Sequence, residues 1–180
     1  LRVDCIYRRL DDTFLDPKAF YKGSVIGVPG LFKAWRKGNV GILNAIGTGV
    51  ADDKVVYSYV NKMIVYYLGE QPILNQVETY LCHDKIQMDY VIDNISKLVV
   101  KPANASGGYG IMIGPKAPQK EREEVIAKIK KNPREFIAQP LEILSTAPTI
   151  TKNDIEPRHL DLRPFVLSGK STYVTTGGLT

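Results

Sequence analysis

The stretch VVKPANASGGYGIMIGP, residues 99–115, decides how the chain is read. An apolar run ends in Lys101 and Pro102. Small residues follow as far as Ser106, then Gly107, Gly108, Tyr109 and Gly110, then a second apolar run. The pattern predicts two strands joined by a small-residue loop. Glycine carries no Cβ, so backbone N–H groups in such a loop can approach an anion closely. A lysine at the strand end adds a mobile positive charge. Together they suit the β- and γ-phosphates of a nucleotide. A loose hairpin whose glycines only allow the turn fits the same residues.

Working outward, QKEREEVIAKIKKN predicts a helix with Val125, Ile126 and Ile129 inward. REFIAQPLEIL predicts a strand broken at Pro140. HDKIQMDYVIDNISK predicts a helix capped by Asp84, with Gln87 three residues on and Met88, Val91, Ile92 and Ile95 inward. ADDKVVYSYVNKMIVYYLG predicts one long helix. Asp52 or Asp53 caps its start, Gly69 its end, and Val56, Tyr59, Val60, Met63, Ile64 and Tyr67 form its core stripe. VDCIYRR predicts a short strand and GVPGLFKAWRKGN a short helix, followed by a small-residue connection, VGILNAIGTGV. PTITKNDIEPRH is expected to be a polar loop. LDLRPFVLSGKSTYVT predicts two strands around a Ser-Gly-Lys turn. Strands outweigh helices after residue 98, which favours an α+β fold over a doubly wound sheet.

The 180 residues are 44% hydrophobic and 24% charged, ordinary globular composition. No apolar run of membrane-spanning length and no basic-then-apolar leader is visible, and a chain that begins at Leu1 rather than at methionine is expected to be an excised fragment. Cys5 and Cys82 share no metal-ligand spacing with His83 or His159, so two reduced thiols in a cytoplasmic protein are expected. The histidines are expected to be surface or capping residues. The net charge of +5 leaves open an attraction for phosphates, but the cations are not interleaved with aromatics, which weakens a nucleic-acid reading. There is no G-x-x-x-x-G-K-[ST] motif, and GTGVAD carries only part of a dinucleotide fingerprint.

The order of these pieces resembles the ATP-grasp family: strand-lysine, glycine loop, strand, helix, FIAQPLE, then DLRPFVLSGK with Asp161 and Arg163 two apart. YRRLDDTFLDP, NAIGTGVADDK, YYLGEQPIL and RHLDLRPFVL are similar to the circularly permuted ATP-grasp proteins, relatives of glutathionylspermidine synthase. The resemblance implies an α+β fold of two lobes with mainly antiparallel sheets, cut short at the C-terminus. Residues 1–97 would lead into the fold, and residues 98–180 would form part of its nucleotide-binding region.

The resemblance also assigns roles. Lys101 would contact the α- and β-phosphates, and Lys54 resembles the family's earlier phosphate lysine. Ser106, Gly107, Gly108, Tyr109 and Gly110 would fold over the γ-phosphate. Gln139, Pro140 and Leu141 would line adenine, and Glu142 would reach ribose. Arg163 would stabilise charge on the transferring phosphoryl group. The cofactors implied are ATP and Mg2+, the latter with ligands beyond residue 180. The partners implied are a nucleotide and a small carboxylate and amine, with neither nucleic acid nor membrane. Arg8, Arg9, Asp11 and Asp12 face substrate or form a charged strand end. The activity implied is ATP-dependent carboxylate–amine ligation. A non-catalytic nucleotide-binding or scaffold domain of the same fold is the alternative.

Overall fold

The computed structural model describes residues 2–105, 107–152 and 154–179. The chain divides into two compact units, Leu1–Pro140 and Leu141–Thr180. The first opens with β1 (Cys5–Tyr7), α1 (Asp12–Leu15), α2 (Leu31–Arg36) and β2 (Gly41–Leu43). β1 and β2 pair in parallel, Ile6 opposite Ile42. Leu15, Leu31 and Ile42 form a small core there, with Ile6 and Trp35 packed against it. The expected small-residue connection therefore contains a strand. Three residues are too few to show an alternating pattern.

Asp16 holds this region together. Its carboxylate, 1% exposed, accepts hydrogen bonds from the backbone N–H groups of Lys18, Gly30 and Phe32 at 2.8–3.0 Å. Burial acts to raise its pKa, but the amides of Gly30, Lys18 and Phe32 and the Lys18 charge outweigh it and hold the carboxyl below its usual range. A depressed folded-state pKa contributes stability above the unfolded value of about 3.9, and loses it as pH falls through the folded value. The stability gap between the protein and its Asp16→Asn variant is therefore expected to be full near neutrality and to shrink below roughly pH 4. Urea unfolding at several pH values checks this; a gap independent of pH would contradict it.

Next come α3 (Lys54–Tyr57), α4 (Val60–Leu68), β3 (Tyr80–Leu81), α5 (Lys85–Asp93), β4 (Leu98–Pro102), β5 (Met112–Ile113), α6 (Gln119–Lys131) and β6 (Phe136–Pro140). The single long helix expected over residues 51–69 is two helices. The Ser58 hydroxyl donates to the Val55 carbonyl at 2.7 Å, a local bond that competes with helix continuation. Nor is the expected stripe core: Tyr59, Val60, Met63 and Tyr67 are exposed, and Val55 is the residue buried. Asp53 caps α3, and Gly69 ends α4 with a φ of 67°.

The strands β3, β6, β4 and β5 lie side by side in that order, each pair antiparallel. Alternation sorts their side chains onto two faces. Cys82, Ala138, Leu98, Val100 and Met112 pack with Val91 and Ile95 of the α5 region and with Val125 and Ile129 of α6. The opposite face carries Leu81, Ile137, Gln139, Val99 and Lys101 by register, and Leu81 and Ile137 pack with Val55 of α3. Apolar burial thus covers one face with helices and leaves the polar end of the other to the site.

The second unit comprises β7 (Thr146–Ile150), β8 (Ile155–His159), β9 (Arg163–Ser168) and β10 (Thr172–Leu179), paired as two antiparallel hairpins. The β9–β10 hairpin lies where expected. The polar loop expected over residues 148–159 is instead mostly the β7–β8 hairpin. Pro148 and Pro157 obscure it in sequence. In the hairpin they sit opposite one another, in a two-stranded ribbon where a missing N–H need not interrupt a wider ladder.

Candidate functional site

β4 delivers Lys101 to the sheet face opposite α5 and α6, and β6 delivers Gln139 to the same face. The Lys101 ammonium donates to Gln139 Oε1 at 2.6 Å. Gln139 is 8% exposed and its Nε2 donates to Thr79 Oγ1 at 2.9 Å. Among the described residues neither Lys101 nor Lys54 forms an ion pair with a carboxylate. Burial, and then the nearby Lys54 charge, hold the Lys101 pKa below the ordinary lysine value. Two lysines brought close, one of them half-buried with a neutral amide as acceptor, make an environment in which an anion would be stabilised.

α3 places Lys54. Asp53 accepts from the Val55 N–H at 2.8 Å and pairs with Arg134 at 2.9 Å, which ties the helix start to the segment just before β6. Burial opposes ionisation of Asp53, but the Arg134 hydrogen bond, the Val55 amide and the Arg134 charge hold its pKa below the usual carboxylate range. The Lys54 N–H donates to the Ala103 carbonyl at 2.9 Å, and Lys54 Nζ donates to the Ala105 carbonyl at 2.6 Å. Lys54 is thus tethered to the entrance of the glycine loop.

That loop needs its glycines. Gly107, Gly108 and Gly110 have φ of 70°, 80° and 72°, in the left-handed region that L side chains rarely occupy. At Gly110 a Cβ would also come within 2.9 Å of the Pro102 ring. Tyr109 is 81% exposed. Ser106 lies outside the described residues.

A cavity of about 850 Å³ opens beside the loop, with Lys54, Gly107, Gly108 and Tyr109 on one side and residues of 8–12 and 44–52 on the other. Lys101, Gly110 and Gln139 are not in its lining. Arg8 organises the second wall. Although a cation, it is 8% exposed; it donates to the carbonyls of Leu10, Asn44 and Ala45 at 2.7–2.8 Å and pairs with Asp12. Asn44, with φ of 48°, returns a bond from Nδ2 to the Arg8 carbonyl. Of the four charged residues expected at this strand end, Arg8 and Asp12 are structural partners, Asp11 caps α1, and all four border the cavity. Among the described residues no three His, Cys, Asp or Glu side chains group to hold a metal ion.

The remaining expected residues follow β6. Pro140 ends the first unit, and Leu141 and Glu142 begin the second, both exposed. Arg163 starts β9 and pairs with Asp161 at 3.1 Å on an open surface. An exposed pair of this kind contributes about 0–1 kcal/mol. Thr79 and Asn44 were not singled out by the sequence; no local pattern marks either.

A family model described as circularly permuted ATP-grasp type 2 matches residues 1–180. The chain belongs to this family. Among relatives of this ATP-grasp chain, an uncharacterized protein of Synechocystis sp. is 52% identical over 180 residues, covering 99% of this chain and 37% of its own. An uncharacterized protein of Mycobacterium tuberculosis is 52% identical over 180 residues, covering 99% and 33%. A Frankia casuarinae protein named "Putative glutamate--cysteine ligase 2-2" is 47% identical over 178 residues, covering 99% and 21%. The chain therefore spans about a third or less of the length of these relatives. Among the described residues no helix is long and apolar enough to cross a membrane.

Proposed function

We propose that the chain is the ATP-binding portion of an ATP-dependent carboxylate–amine ligase acting on a peptide-like or polyamine-like substrate, related to glutathionylspermidine synthase. The observation that carries this is Lys101. Its ammonium is half-buried, close to Lys54, beside a glycine loop, and its acceptor is a neutral amide. A polyphosphate fits that environment, because it supplies the negative charge that the lysines lack. Membership of the ATP-grasp family and the Frankia relative's ligase name point the same way, although the matched segment is only 21% of that protein.

In this reading ATP, with Mg2+, supplies the phosphoryl group that activates a carboxylate as an acyl phosphate for attack by an amine. The chain's own residues position and neutralise charge. Lys101 and Lys54 bind phosphate, and the loop of Ser106, Gly107, Gly108, Tyr109 and Gly110 folds over its terminal group. Gln139, Pro140 and Leu141 border the base and Glu142 the ribose. Arg163 meets charge that develops during transfer.

The test is ADP release by the intact protein against a panel of small carboxylic acids and amines. Release that requires one acid and one amine together is expected. Arg163→Lys is expected to lower that turnover by about tenfold or more while nucleotide affinity stays within about threefold, because lysine keeps the charge but loses the planar two-pronged donor. Wild-type turnover in the lysine variant would leave Arg163 as a surface residue. Nucleotide binding with no release for any pair would favour the non-catalytic alternative.

A further inference from the structure

Lys101, Gln139 and Thr79 form a chain whose direction is fixed at its far end. The Thr79 hydroxyl donates to the Val77 carbonyl at 3.0 Å. Its single proton is thereby used, so it presents a lone pair to Gln139. Gln139 Nε2 donates to that lone pair at 2.9 Å, which turns Oε1 toward Lys101, at 2.6 Å. Every donor in the series points the same way, from Lys101 to Gln139 to Thr79 to the Val77 carbonyl. Aligned bonds polarise one another, so the amide oxygen is a stronger acceptor than an isolated one. The reversed amide would aim an NH2 group at an ammonium and leave Thr79 facing an oxygen without a proton to give.

We propose that Thr79 is a positioning residue for Lys101. It sets the amide orientation of Gln139, and Gln139 holds the ammonium at one place on the sheet face. An ammonium has three donors. Gln139 takes one, and among the described residues no other acceptor holds the remaining two, which can serve an anion. Gln139 thus serves the lysine through its side chain, whatever its backbone offers to a base. That Lys101 meets phosphate rests on the function proposed above; that Thr79 orients the pair does not.

The test separates the two. Lys101 acetylation by acetic anhydride is followed by mass spectrometry in the ligand-free intact protein across roughly pH 7–11, where a lysine titrates. Thr79→Val keeps the shape of the side chain and removes the hydroxyl. The Gln139 amide is then free to turn, the charged form of Lys101 loses its held acceptor, and the neutral amine forms at lower pH. Acetylation near pH 8 is expected to be about fivefold faster than in the wild type. Thr79→Ser is expected to restore the wild-type profile. Gln139→Glu, which presents a carboxylate to Lys101, is expected to shift the profile to higher pH and provides a second reading if the valine variant does not fold.

Superimposable profiles for the wild type and either Thr79→Val or Gln139→Glu would overturn the proposal. So would a serine variant that behaves like the valine one, since the methyl group would then be what matters. In parallel, the affinity of Thr79→Val for ATP with magnesium is expected to fall about fivefold. If the acetylation results hold and the wild type binds no ATP, the nucleotide reading fails while the positioning role stands.

Discussion

Replacing Arg8 by methionine is expected to destabilise the protein by about 3 kcal/mol, although methionine is a good filler of buried space. Arg8 is nearly fully buried and its guanidinium answers three backbone carbonyls and the Asp12 carboxylate. Methionine supplies no donor. Asn44 and Ala45 are exposed and the Ala45 carbonyl keeps the Thr48 hydroxyl as a donor, so the cost falls mainly on the Leu10 and Asn44 carbonyls and on Asp12. An acceptor left alone away from water costs about 1–3 kcal/mol, partly offset by the gain from removing a buried cation. Asp12 also accepts from the Gly47 N–H at 2.8 Å, so it does not lose every partner. The variant should nevertheless loosen the segment 44–52 that walls the cavity. Urea unfolding measures the change. A loss below about 1 kcal/mol would mean that water replaces the guanidinium without difficulty.

Gly114→Ala is expected to cost about 3 kcal/mol or more. A Cβ at this position would lie 2.0 Å from the Ile95 carbonyl oxygen and 2.6 Å from that of Leu98. Both obstacles are backbone, so no side-chain rotation relieves them. Gly114 follows β5 and its N–H donates to the Leu98 carbonyl at 2.8 Å, so a shift here separates β5 from β4. The glycine loop is the connection between those two strands. On the proposed function the variant should therefore lose nucleotide affinity, and its melting temperature should fall. An alanine variant melting within a degree of the wild type would show that the α5–β4 connection can move aside.

The parts of the fold that were legible in the sequence have a period long enough to read. In α6 and over α5 and the turn that follows it, apolar residues recur at helical spacing, and Val91, Ile95, Val125 and Ile129 are buried as that spacing requires. The glycine loop was legible because Gly107, Gly108 and Gly110 are demanded by backbone conformation. The broken helix was not. Val56 to Tyr67 keeps a helical period, but period reports which residues share a face, not whether anything covers that face. The β7–β8 hairpin was hidden by its prolines. The place of Lys101 on a strand beside the loop was legible, but its contacts were not. Gln139 lies 38 residues away from it in the chain, and Thr79 lies 60 from Gln139. Pairings at that distance are set by strand register, which no local pattern in the sequence carries. Arg8 shows the same limit: a charged strand end read in sequence as solvent- or substrate-facing is buried because β2 brings the Asn44 and Ala45 carbonyls against it.

On the proposed function, Lys101 binds the phosphates of a nucleotide. Titration calorimetry of the intact protein and its Lys101→Ala variant with ATP and magnesium tests it most directly, with a thermal melt of each alongside. A charge-assisted phosphate contact is worth about 1.5–3 kcal/mol. Affinity is expected to be lower by about tenfold or more in the alanine variant and the melting temperature little changed, since removal of a half-buried charge beside Lys54 offsets the donor that Gln139 Oε1 loses. Unchanged affinity with a lowered melting temperature would contradict it, and would make Lys101 a structural residue of the sheet.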